Sequence, residues 1–100
     1  MLKVALFVRL EAKPGKEETV KKFLEGALSL ANAEITTPVW FALQMGPSTF
    51  AIFDAFADDM GRQAHLNGPI AAALMANAAE LLAVPPNIEQ VYVLAAKVPG

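Results

Sequence analysis

The chain contains no cysteine, which excludes a disulfide framework, a thiolate-held metal and a cysteine nucleophile together. A reducing, cytoplasmic setting is the expectation that fits. Charge is also scarce. Only 18% of the 100 residues are Asp, Glu, Lys or Arg, and they nearly cancel to a net −2, so neither a basic nucleic-acid footprint nor a disordered acidic segment is present. Histidine occurs once. With no cysteine and only scattered carboxylates beside it, this argues against a three-ligand metal site. Gly15, Gly26, Gly46, Gly61 and Gly68 form no G-x-G-x-x-G or P-loop pattern, so no nucleotide- or flavin-binding loop is expected. Ser48 lies between two strand-like runs and lacks a nucleophile-elbow context.

Apolar residues are abundant, at 55%, and the length is that of one domain, expected to span residues 1–100. The opening Met1 to Leu10 is apolar, yet Arg9, Glu11 and Lys13 break the run and no small-residue cleavage site follows. We read it as a strand of the mature protein. Ile35 to Phe53 carries no charge over a length that could cross a bilayer, but Pro38, Gln44, Gly46, Pro47 and Ser48 divide it. A soluble hairpin, with no membrane association, is predicted instead.

Alternation marks Lys3 to Ala12 as a strand, with Val4, Leu6, Val8 and Leu10 on one face. After the turn Lys13-Pro14-Gly15, the positions Val20, Phe23, Leu24, Ala27, Leu28 and Ala31 form one continuous helical stripe. Val39–Met45 and Thr49–Phe56, joined by Gly46-Pro47-Ser48, predict a β-hairpin. Asp58 or Asp59 caps a second helix, which Gly68-Pro69 breaks before a longer segment from Ile70 to Ala83. Pro85 and Pro86 stop it, and Ile88 to Lys97 alternates as a last strand. The order strand, helix, strand, strand, helix, strand is the α+β, ferredoxin-like βαββαβ arrangement, with an antiparallel sheet in the order 4-1-3-2.

Two helices cover only one side of such a sheet, and both sides of its strands are apolar. Phe50, Ile52 and Phe56 share one face of the third strand, and Ala51, Phe53 and Ala55 the other. Patches beyond a few hundred Å² are uncommon on monomers. A sheet-to-sheet homodimer with two-fold symmetry is therefore expected.

Several segments resemble one known family. They are Val4-Ala5-Leu6-Phe7-Val8-Arg9-Leu10 followed by Lys13-Pro14-Gly15-Lys16-Glu17-Glu18, and Phe50-Ala51-Ile52-Phe53-Asp54-Ala55-Phe56 with His65 nine residues on. Together they resemble the antibiotic biosynthesis monooxygenases, over essentially the whole chain. The resemblance implies a dimeric α+β barrel. Of activity it implies less, since that family includes quinone-forming oxygenases, haem-degrading enzymes and members without an assigned reaction. Where the haem-degrading branch carries asparagine, tryptophan and an iron-ligating histidine, an ungapped reading finds Val8, His65 and Met75. Haem degradation is not expected, and Met75 reads as core. The quinone-forming branch implies a cofactor-free oxygenation of a phenol or hydroquinone, with neither metal nor flavin. The family's strand-three tryptophan is Phe56 here, which keeps a stacking surface but has no N–H to hold a substrate oxygen.

His65, as the only imidazole, is the candidate for proton transfer near neutral pH. Asp54, a polar residue on the apolar face of Phe50, Ile52 and Phe56, needs a partner, and His65 can be that partner as orienting carboxylate or as a purely structural tie. Phe56 and Trp40 are candidate pocket walls. Tyr92 can supply a phenolic hydrogen bond or pack, and Asn67, like Asn77, can touch substrate or form a local cap. Arg9 can bind an anionic substrate or form an intersubunit ion pair. Two functions follow: a dimeric monooxygenase acting on an aromatic or quinol-like small molecule, or a non-catalytic dimer that binds a small ligand or none. An apolar cavity of roughly 300 Å³ beside His65 would favour a ligand, and a filled core the inert reading.

Overall fold

The computed structural model describes residues 1–99. Along the chain run β1 (Val4–Glu11), α1 (Glu17–Gly26), α2 (Leu28–Ala33), β2 (Val39–Gln44), β3 (Thr49–Phe56), α3 (Asp59–Leu66), α4 (Pro69–Leu81) and β4 (Asn87–Tyr92). The strands form one antiparallel sheet ordered β2-β3-β1-β4, which is the expected 4-1-3-2 read from its other edge. The fold is thus α+β and ferredoxin-like. Among the described residues no helix is long and apolar enough to cross a membrane.

The alternation in β1 does what its period requires. Val4, Leu6, Val8 and Leu10 are buried under the helices, with Phe50, Ile52 and Phe56 beside them on β3, and Val20, Leu24, Leu74 and Leu81 closing the core from above. Gly15, at φ 85°, makes the left-handed step that starts the β1–α1 turn. Glu17 and Glu18 then meet the positive end of α1. Asp58 is the cap of α3, its Oδ1 accepting the Gly61 N–H at 2.9 Å.

Three expectations need correction. The stripe from Val20 to Ala31 is carried by two helices, not one. At Ala27, just after the weak helix former Gly26, the N–H is shared between the carbonyls of Phe23 and Leu24. The chain turns there, and Leu28 is left 50% exposed. The last strand ends at Tyr92 instead of Lys97, because the hydrogen bond from Val93 N to Lys3 O reaches the start of β1 and the later residues have no strand to pair with. Met75 is 58% exposed on α4 and is not core, since that helix is apolar almost all round and one of its apolar faces looks outward.

On the face away from the helices, Phe41, Phe53 and Phe7 stand in one row across β2, β3 and β1. The rings of Phe41 and Phe53 are 6.5 Å apart, and Phe41 is 54% exposed.

Candidate functional site

α3 turns His65 inward, and β3 presents Asp54 in the helix-facing row that also holds Phe56. His65 Nε2 lies 2.8 Å from Asp54 Oδ2. On the other side of the ring, Nδ1 is 2.6 Å from Glu34 Oε1, at the C-terminal end of α2. Thr37 Oγ1 donates to that same Glu34 oxygen at 2.8 Å and fixes its carboxylate. The Phe56 ring sits 5.5 Å from the imidazole, tilted by 45°. Gly68 lets the α3–α4 break pass close by: a Cβ there would lie 3.2 Å from the His65 carbonyl and 3.5 Å from Glu34 Oε2.

The electrostatics follow from this bracket of carboxylates. Burial by itself would lower the His65 pKa, but hydrogen bonding and charge from Asp54 and Glu34 outweigh it and raise the pKa from 6.5 to about 8. Burial raises the Asp54 pKa, the adjacent imidazole only partly opposes this, and the Glu34 charge adds to it. The raised pKa favours the protonated ring at neutral pH, with Asp54 at one nitrogen and Glu34 at the other. The Asp54 contact is a close charge pairing without a formed hydrogen bond, and both Asp54 oxygens, Glu34 Oε2 and Trp40 Nε1 are buried without hydrogen-bond partners. The two carboxylates lie on opposite sides of the ring and do not converge, and among the described residues no cluster of His, Cys, Asp and Glu is arranged to hold a metal ion.

Of the residues singled out in the sequence, His65, Asp54 and Phe56 come together, and Trp40 stands across from Asp54 in the β2–β3 ladder while packing on Ala27, Ala31 and Ile70. The others lie elsewhere. Arg9 is exposed on the opposite face of the sheet, over the Phe7 ring, so a substrate at His65 would not meet it. Tyr92 is 78% exposed at the end of edge strand β4. Asn67 ends α3 and donates its side-chain N–H to Gln63 O at 2.9 Å, and Asn77 does the same to Ala73 O at 2.8 Å, so both are engaged locally. Glu34 escaped the sequence reading. The one trace of it is position: Glu34 and Asp54 are the two acids that border the uncharged stretch Ile35 to Phe53.

Among the described residues, no principal cavity opens beside His65. None of the three principal cavities is bordered by His65, Asp54 or Glu34; they measure about 1020, 10 and 210 Å³. The largest is an open apolar groove between the chain ends and β2, bordered by Met1, Trp40, Phe41, Val93, Leu94 and Val98 among others.

No protein-family model matches the chain, and neither does any curated protein. Solved structures do. The chain is 70% identical to NE2512, a protein of unknown function from Nitrosomonas europaea, with a TM-score of 0.98 over 100% of this chain and 97% of that one. PA3566 from Pseudomonas aeruginosa is similar at 22% identity and a TM-score of 0.81, covering 95% of this chain and 97% of its own. A second Nitrosomonas europaea protein, named as a candidate antibiotic biosynthesis monooxygenase, superposes with a TM-score of 0.82 at 18% identity, over 92% of this chain and 99% of that one. The fold is that of the antibiotic biosynthesis monooxygenases, as the sequence resemblance implied. The chain belongs to the same family as NE2512.

Proposed function

We propose that the protein is a homodimeric monooxygenase that oxidises an aromatic, quinol-like small molecule with dioxygen, without metal or flavin, at Asp54 and His65. The observation that carries this reading is the set of buried polar atoms left over at the site. A purely structural pair satisfies its polar groups, whereas Asp54 Oδ1, Glu34 Oε2 and Trp40 Nε1 have none to meet. Each such group costs about 1–3 kcal/mol. Unpartnered carboxylate oxygens on both sides of the ring suit a hydroxyl-bearing guest.

The chemistry needs little else. Asp54 takes the proton of a phenol or hydroquinone, the imidazolium of His65 steadies the negative charge, and Phe56 and Trp40 supply aromatic walls. The electron-rich anion then reduces dioxygen. At an activated ring CH₂ the sum is CH₂ + O₂ → C=O + H₂O: one oxygen atom enters the substrate, the other leaves as water, and the substrate supplies all four electrons. A second copy of the chain covers the sheet face of Phe7, Phe53 and Phe41, since roughly 25 cal/mol per Å² over several hundred Å² favours association by roughly 10 kcal/mol before entropic costs.

One observation favours a second reading. The packed surroundings of His65 suit a tie that merely holds α3 to the sheet, in a dimer that binds a small apolar ligand or none. Dioxygen uptake with a panel of hydroquinones and anthrone-like phenols separates the two, comparing wild type with a folded His65→Ala variant. Uptake lost in the variant supports the monooxygenase; no uptake by wild type, or equal rates in both, rejects a catalytic His65.

A further inference from the structure

Among the described residues no principal cavity reaches Asp54, whose side chain is 0% exposed with neither oxygen in a hydrogen bond. A guest that is to meet this carboxylate needs a surrounding element that moves. Most of them are fixed. On β3, Phe56 is fully buried; α3 is tied to the sheet through Arg62, which donates to the carbonyls of Ala5 and Val91; α4 is anchored by buried Ile70, Leu74 and Leu81. The segment from Leu28 to Pro38 differs. Only Ala31 and Thr37 of it are buried, while Leu28, Leu30 and Ile35 face water and give it no hold. We infer that this segment, α2 with the turn that follows, is a hinged cover over Asp54 and His65, latched shut by Glu34.

The latch is polar. Glu34 Oε1 pairs with His65 Nδ1 at 2.6 Å and accepts the Thr37 hydroxyl at 2.8 Å. Thr37 belongs to the same segment, so the acid and its support move together, and the contact with His65 is what joins them to α3. Closing also has a cost, because Glu34 Oε2 is buried without a partner and water would solvate it in the open position. The cover is thus held by a balance of polar terms, not sealed by apolar packing. Both ends suit a hinge. At Ala27, just after Gly26, one N–H is shared between two carbonyls, and Pro38 brings no N–H to the ladder that begins at Val39. Two glycines make room for the closed position. A Cβ on Gly61 would lie 3.0 Å from the Thr36 carbonyl oxygen, and one on Gly68 3.5 Å from Glu34 Oε2.

What the cover admits rests on the reading of Asp54 and His65 as a guest site, but its opening is tested without a substrate. Amide hydrogen exchange, followed by NMR, compares Ala31, Glu34 and Thr37, whose N–H groups are bonded within the cover, with the amides of β1. A cover opens while the core stays folded. In wild type its amides should therefore exchange at a rate that low urea leaves unchanged, whereas those of β1 respond to urea as global unfolding does. Glu34→Gln breaks the latch, and Gly61→Ala props the segment off α3 without touching a charge. Each should speed the cover amides by at least roughly tenfold, still without urea dependence. Cover amides that follow urea as β1 does, or that keep their rate in both variants, overturn the inference. Uncovering is read separately. In this cysteine-free chain, Ile70→Cys places a single thiol beneath Ala27 and Ala31. Its reaction with a thiol reagent should be independent of low urea and at least roughly tenfold faster once Glu34→Gln is added. Labelling only through urea-sensitive unfolding would mean that α2 frays without exposing what it covers, and overturns the inference too. A cover that opens in a protein consuming no dioxygen keeps this inference and discards the oxygenase, whereas dioxygen uptake by a protein whose cover opens only on global unfolding does the reverse.

Discussion

Trp40 stands directly opposite Asp54 across the β2–β3 ladder, and the indole N–H and both oxygens of that carboxylate are buried without a hydrogen-bond partner. Facing residues on one side of a sheet have Cβ atoms roughly 5 Å apart, so both side chains start from the same apolar layer under the helices. The imidazolium is what makes the Asp54 charge tolerable there. Asp54→Asn removes one partner of a buried pair and leaves His65 short of a counter-charge. The expected loss in urea denaturation is about 3 kcal/mol. A loss below about 0.5 kcal/mol would mean that the pair is not formed.

Stability should also follow the titration of His65. Its folded pKa is raised from 6.5 to about 8, so its contribution is complete below pH 6.5 and disappears as pH rises through 8. The sum at stake is about 2 kcal/mol at most. Asp54, raised as well, acts in the same direction at lower pH. The melting temperature should fall between pH 6.5 and 8 in wild type, and fall less in a folded His65→Gln variant. A flat profile across that window argues against the bracketed imidazolium.

The core makes a sharper contrast. Leu6 is 1% exposed between β3 and β4, and Leu6→Ala should cost about 2–5 kcal/mol. Met75 is 58% exposed, and Met75→Ala should stay within about 0.5 kcal/mol. Denaturant midpoints of the two variants decide the point.

The aromatic row on the uncovered sheet face predicts assembly. Light scattering at micromolar concentration should return twice the 10.6 kDa chain mass for wild type and the single mass for Phe41→Glu, whose charge would be desolvated between the two sheets. Wild type at the single mass would remove the dimer from the account.

Much of this architecture is legible in the sequence because local period and burial agree. Val4, Leu6, Val8 and Leu10 alternate because a sheet has two faces, and Asp54 stands out on β3 because three apolar neighbours share its face. The pairing of Asp54 with His65 follows from need, since each is the other's nearest chemical complement. What the sequence hides is tertiary. Glu34 lies 31 positions from His65, outside any periodic pattern, and only the approach of the α2 end to α3 makes it a partner. The end of β4 at Tyr92 is set by where β1 begins, which alternation in Ile88 to Lys97 does not report. Arg9 and Tyr92 have suitable chemistry, but their sheet face and edge position decide against them as neighbours of His65.

The measurement that bears most directly on the site is an NMR titration of the one imidazole. Glu34 and Asp54 at its two nitrogens predict an apparent pKa near 8 and two protonated ring nitrogens at pH 7. A midpoint at or below 6.5 would mean that burial outweighs the carboxylates, and the proton-handling cluster would then not exist as described.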